Sequence, residues 1–140
     1  MPYEYFPHTG DIGMRLWGRS LDELMTSAVR GFTDAVIDPE SVRAAEAVAL
    51  TCRASAPDLL LHGLLSELLY QFDARGRLVK DAEVAVTREG EGWLVEARTR
   101  GEQLDASRHH VKVLVKGVTY HALVVAETRE GWQGTVVLDI

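Results

Sequence analysis

The chain has 140 residues, 46% of them hydrophobic and 26% charged, with 15 Lys+Arg against 21 Asp+Glu and a formal net charge of −6. This composition excludes a disordered or fibrous chain, and at about 150 residues folding hides roughly 70% of the unfolded surface, so one hydrophobic core is available without staples. A single domain spanning residues 1–140 is expected.

Cys52 is the only cysteine, so no internal disulfide can form, and the opening Met1-Pro2-Tyr3-Glu4-Tyr5 has neither the basic nor the apolar region of a secretory signal. No apolar run approaches the roughly 18 residues of a membrane helix, and no basic cluster suggests a surface anchor. These features point to the cytoplasm and away from membranes. The acidic balance disfavours RNA or DNA as a direct partner, because Lys and Arg contacts to phosphate supply most non-specific affinity.

In chain order, Ile12, Met14 and Leu16 alternate with Gly13, Arg15 and Trp17, the period of a half-buried strand that Gly18 closes. Ser20 and Glu23 form a capping box that opens a helix. Its apolar stripe, Leu21, Leu24, Met25, Ala28, Val29, Phe32, Ala35 and Val36, faces a sheet, and Asp38-Pro39 ends it. Val48, Leu50 and Cys52 mark a second strand. Ser55 and Pro57 read as the cap and first residue of a second helix, about Pro57 to Phe72, whose many leucines predict burial on more than one side.

From Leu78 onward the pattern is strand. Ala82, Val84 and Val86 pair with Trp93, Val95 and Ala97 across the turn Arg88–Gly92, and Val111–Val115, Val118–Ala126 and Thr135–Ile140 follow, with Arg129-Glu130-Gly131 as the last tight turn. The expected fold class is α+β, two helices packed on a largely antiparallel sheet.

Three segments carry chemistry. In His8-Thr9-Gly10-Asp11-Ile12-Gly13, small residues surround a carboxylate that either caps an Asx turn or binds a cation. At the chain end, Asp139 beside the Ile140 carboxylate offers hard oxygen donors of the kind Mg²⁺, Mn²⁺ or Ca²⁺ prefers, if the first and last strands lie together. The stretch His109–His121 combines two lysines and three histidines. Its spacing fits no zinc motif, and Lys112 and Lys116 share one face of an extended chain, as simple solvation or as an anion-directed patch. There is no phosphate loop and no nucleophile elbow, so nucleotide hydrolysis is unsupported.

Together these segments resemble the archease family over nearly the whole chain. Tyr5–Gly13 is similar to its amino-terminal motif, Leu68-Leu69-Tyr70-Gln71-Phe72-Asp73 to its second helix, and Val115-Lys116-Gly117-Val118-Thr119-Tyr120-His121 to its third signature; the ending Val137-Leu138-Asp139-Ile140 fits as well. Gly10 and Gly117 stand where the family more often has alanine. The resemblance implies an α+β accessory protein for the GTP-dependent RNA-splicing ligase of tRNA splicing and RNA repair, which joins 2′,3′-cyclic-phosphate or 3′-phosphate RNA ends to 5′-hydroxyl ends. The ligase performs the chemistry, becoming guanylylated on its own histidine. The accessory protein promotes that step and multiple turnover, is not itself an enzyme, and meets RNA only through the ligase.

Residue by residue, the resemblance places a divalent metal (Ca, Mg or Mn) on Asp11 and Asp139, completed by Ile140 through its carboxylate or carbonyl, with Lys116 alongside. His8 and His121 are motif members open to three roles: ligand, partner contact, or buried hydrogen-bonded histidine, the last favoured for His121. Two other classes compete. A small metal-dependent hydrolase would turn over substrate alone, and a general chaperone or RNA-associated adaptor would bind without metal or GTP.

Overall fold

The computed structural model describes residues 2–140. Its elements run β1 (Tyr3–His8), β2 (Asp11–Gly18), α1 (Leu21–Val36), a 3₁₀ turn (Pro39–Ser41), β3 (Glu46–Ala54), α2 (Pro57–Arg75), β4 (Arg77–Glu89), β5 (Gly92–Gln103), β6 (Gly117–Val118), β7 (Val124–Thr128) and β8 (Gly131–Asp139). The class is α+β as expected, but the strands divide into two antiparallel sheets. One has the order β1-β2-β8-β6, with β7 also on β8; the other is β3-β5-β4.

Each helix touches both sheets. In α1, Ser20 Oγ accepts from Glu23 N–H as the capping box predicts, while Glu23 reaches past Ser20 to the amide and side chain of Arg19. The predicted stripe is the buried one, and it is bracketed by Ser27 Oγ donating to Trp17 O in the first sheet and Thr33 Oγ1 donating to Val79 O in the second. Helix α2 buries Leu60, Leu61, Leu64, Leu65 and Leu68. Each such leucine stabilises the fold by about 1.5–3 kcal/mol on area grounds. Its apolar surface runs round both sides because it packs on β3 and also against β6 and β7.

Several expectations need correction. Strand β1 escapes the hydrophobic pattern because it is an edge strand, exposed at four of its six positions. Ser55 does not cap α2. The N-cap is Ala56, with no side-chain hydrogen bond, and the helix continues past Phe72 to Arg75, where Gly76 at φ +61° closes it. Val118–Ala126 is not one strand: Thr119–Leu123 turns between β6 and β7.

The largest difference is at Val111–Val115. The segment keeps the alternation of a strand, with Val111, Val113 and Val115 inward and Lys112, Leu114 and Lys116 exposed. No neighbouring strand flanks it among the described residues. Its amides bond to other backbone at Lys112, to Val36 O at 2.7 Å, and at Lys116, to Asp139 O at 2.7 Å. It is a strap joining the C-terminal end of α1 to β6.

Two glycines separate tight from open backbone. A Cβ on Gly101 would overlap the carbonyl of Leu78 and crowd Val79 Cα, at the bulge where β4 shifts register between Val79 and Asp81. A Cβ on Gly117 would meet nothing within 4 Å. Gly101→Ala should therefore lose roughly 1–3 kcal/mol or more of unfolding free energy, since backbone on both sides must move, while Gly117→Ala should stay within about 0.5 kcal/mol. Urea unfolding of the two variants beside the parent checks both; equal midpoints would contradict the packing argument.

Candidate functional site

The predicted site residues meet at one end of the first sheet. The register pairs His8 with Asp11, Asp11 with Asp139, and Asp139 with Gly117, so one row crosses β1, β2, β8 and β6. The condition set by the sequence, that the strand starting at Asp11 and the last strand lie together, is met by the pairing of β2 with β8.

Hydrogen-bond parity fixes how the two carboxylates face each other. Trp17 N–H donates to Pro2 O at 2.9 Å. Alternation along the antiparallel ladder then makes Glu4–Arg15, Phe6–Gly13 and His8–Asp11 the bonded pairs, and turns the missing N–H of Pro7 toward the open edge. The backbone groups of Asp11 are thus committed to β1. The carbonyl of Asp139 accepts from Lys116 N–H and is committed to the opposite side. Asp11 and Asp139 are consequently a non-hydrogen-bonded pair, the geometry with Cα atoms about 4.5 Å apart and side chains close on one face. Like charges directly opposite destabilise a sheet.

The surroundings supply partial compensation. His8 Nδ1 lies 3.3 Å from Asp11 Oδ2. The ring of His121 has its centroid 6.2 Å from that of His8, tilted by 31°. His121 is exposed, not buried as favoured from the sequence, because it sits in the turn after the two-residue strand β6. Lys116 is exposed and forms no ion pair among the described residues, whereas Lys112, expected to share its face, is engaged by Asp34 at 3.3 Å. Ile140 is half-buried against the core, which holds the last residue beside the row. Asp73, exposed near the end of α2, makes no hydrogen bond to any of these residues.

Among the described residues no three His, Cys, Asp or Glu side chains gather closely enough to hold a metal by themselves. The donor set at the row is two facing carboxylates with the backbone oxygens of Ile140 next in the chain. Such a set is open and hard, and fits Mg²⁺, Mn²⁺ or Ca²⁺ with coordination positions left for water or phosphate.

Two supporting groups are not legible as such in the sequence. His62 donates through Nε2 to Val118 O at 2.8 Å, and Tyr120 stacks on its ring at 4.0 Å and 9°. This pins the third signature to α2. His109, grouped with the other histidines in the sequence, is buried and serves the start of the strap instead. Its Nδ1 accepts from Asp105 N–H at 2.9 Å, and its Nε2 donates to Glu102 at 3.0 Å. Glu102 also accepts from the Arg108 guanidinium and from Arg43 N–H. These bonds, that of Arg108 foremost, hold its carboxyl down to about 2.

Residues 3–140 match the model of the Archease protein family. The chain belongs to the archease family. Among curated relatives, "Protein archease" of Methanopyrus kandleri is 32% identical over 100% of both chains, and that of Methanosarcina acetivorans is 36% identical, covering 99% of this chain and 95% of its own. The fold matches the solution structure of protein 1598 from Methanobacterium thermoautotrophicum at a TM-score of 0.85 and 23% identity, covering 99% of each chain. It also matches a Thermotoga maritima crystal structure described as an archease and possible chaperone, at a TM-score of 0.61 and 18% identity, covering 96% of this chain and 94% of the other. Gly10 and Gly117 differ in kind: Gly117 has open space, whereas Gly10 sits at φ +71° in the β1–β2 turn, where a side chain is strained.

Two outcomes follow. With all divalent metal chelated, Asp139→Asn should raise the unfolding free energy by about 0.2–1 kcal/mol, by removing the like-charge pair; a loss of stability in urea titrations would contradict the assigned geometry. Glu102 has its folded value lowered from 4.5 to about 2, so its contribution is complete above pH 4.5 and disappears as pH falls from there toward 2. Glu102→Gln should therefore be less stable than the parent at pH 6 and lose less on acidification, read from unfolding midpoints across that range.

Proposed function

We propose that this archease is a non-catalytic accessory activator of the GTP-dependent RNA-splicing ligase. In this reading it works in the cytoplasm in tRNA splicing and RNA repair, and promotes ligase guanylylation and repeated turnover. The observation that carries the reading is the facing of Asp11 and Asp139 across β2 and β8 in a chain of this family. Two carboxylates with no partner between them except a histidine at the rim are stabilised by a divalent cation.

Asp11 and Asp139 would hold the ion, with Ile140 adding a backbone oxygen. When bound, the ion supplies positive charge for a phosphate group. The chain's own residues would do the rest: β2 and β8 set the two carboxylates opposite each other, His8 and His121 would border them as contacts to the partner, and Lys116, whose backbone N–H bonds Asp139 O, would supply a second cation. A lysine is suited to this as a strongly hydrated point charge that meets phosphate or carboxylate. RNA is reached through the ligase, in keeping with the net charge of −6.

The test uses limiting partner ligase, GTP and divalent metal, following joined RNA with and without this protein. Product should exceed one equivalent of ligase only when the protein is present, and a folded Asp11→Ala/Asp139→Ala double variant should fail to stimulate. Independently of activity, Mg²⁺, Mn²⁺ or Ca²⁺ should raise the thermal midpoint of the parent and leave that of the double variant unmoved. Stimulation that needs neither metal nor GTP would favour the chaperone class suggested by the description of the Thermotoga protein. Turnover of substrate by this chain alone would favour a hydrolase.

A further inference from the structure

The structure points to a partner-docking surface that the carboxylate row does not include. We infer that the outer side of the strap and the turn after β6, centred on Leu114, Lys116 and Tyr120, is where the partner protein seats. The partner would present an acidic group to Lys116 and apolar pockets to Leu114 and Tyr120. This rests on the accessory reading above and identifies the face through which it operates.

Charge is the first argument. Residues 106–126 form a stretch of 21 with no Asp or Glu, carrying Arg108, Lys112 and Lys116, in a chain whose net charge is −6. Arg108 is neutralised by Glu102 and Lys112 by Asp34. Lys116 alone of the three is unpaired among the described residues, so an acidic counterpart from outside meets a charge that no ion pair already engages.

Exposed apolar surface is the second. Leu114 and Tyr120, each 67% exposed, are the two most exposed large hydrophobic residues described. They flank Lys116 in sequence. Leu114 lies on the outward row of the strap because Val113 and Val115 take the inward positions. Tyr120 is exposed yet held in one orientation by its stack on His62, and an aromatic anchor ordered before binding loses little freedom on contact. On its other side the strap borders a groove of about 420 Å³, lined by apolar Tyr5, Pro7, Ala35 and Val113 and also by Asp11 and the Asp34–Lys112 pair. The surface therefore offers both projecting and receiving features beside the carboxylate row.

A protein fits these features better than RNA does. Tyr120 alone would suit a stacked base, but one unpaired lysine on an acidic chain gives little phosphate affinity, and Leu114 has no use in base stacking. The backbone bond from Lys116 to Asp139 keeps the base of its side chain next to the row.

The experiment measures binding of purified partner ligase to the immobilised protein in the presence of divalent metal, in parallel with the joining assay. Leu114→Glu and Tyr120→Ala should each weaken binding about tenfold or more, and Lys116→Glu should weaken it with a loss of its salt dependence. Tyr70→Ala, which removes an aromatic 52% exposed on α2, should bind as the parent does. Leu114 carries no packing role, so its variant tests the surface even if Tyr120→Ala disturbs His62. Binding by all variants equal to that of a stimulating parent overturns this surface and leaves the accessory reading standing. A parent that neither binds nor stimulates overturns both. Tyr120-dependent binding of a single-stranded RNA oligonucleotide without ligase overturns the protein partner in favour of RNA.

Discussion

Everything at the functional end of this molecule depends on the register of β2 against β8. A strand has a period of two, so a slip of one residue would turn Asp11 and Asp139 to opposite faces of the sheet. The same slip of β2 would drive Ile12, Met14 and Leu16 away from the core. Met14 and Leu16 on β2, with Val136 and Leu138 on β8, are fully buried and face the helices. The burial that stabilises the fold thus holds two carboxylates opposite each other, an arrangement the sheet alone would not favour. The core enforces a local electrostatic conflict at its rim.

That rim is braced from two sides. On the β1 side, the hairpin closes with His8 against Asp11, and Gly10 takes the positive φ that the turn requires. On the β6 side, pairing covers only Gly117 and Val118, too few residues to be secure alone. The bond from Lys116 to Asp139 and the His62 contact to Val118 extend the hold to α2 and to the strap. Because α2 is buried between elements of both sheets, its position is fixed by leucine packing, and His62 transmits that position to the third signature.

Much of this is legible in the sequence. The stripe of α1, the doubly buried leucines of α2, the β4–β5 hairpin and the last turn follow from periodicity and turn residues, which report local burial. The meeting of Asp11 with Asp139 can be stated only as a condition, since strand order is a non-local property that no spacing encodes. The exposed edge strand β1 lacks apolar alternation and leaves no periodic signal for that reason. His121, favoured as buried, is exposed in a turn, while His109, read only as one histidine of its stretch, is buried and pins a loop. Residue type alone does not separate those environments.

The strap shows why a correct local pattern can give an incorrect element. Val111, Val113 and Val115 have the branched side chains and the alternation of a strand, and the chain there keeps those residues inward. What a strand also needs is a neighbour, and the segment leaves the second sheet after β5 and reaches the first only at Gly117. Along the way it covers the end of the core with its valines and anchors itself at two amides. The alternation that sends the valines inward necessarily sends Lys112, Leu114 and Lys116 outward. That outward row, with Leu114 between two lysines and Tyr120 stacked on His62 nearby in the chain, is the set of groups on which the proposed docking surface rests.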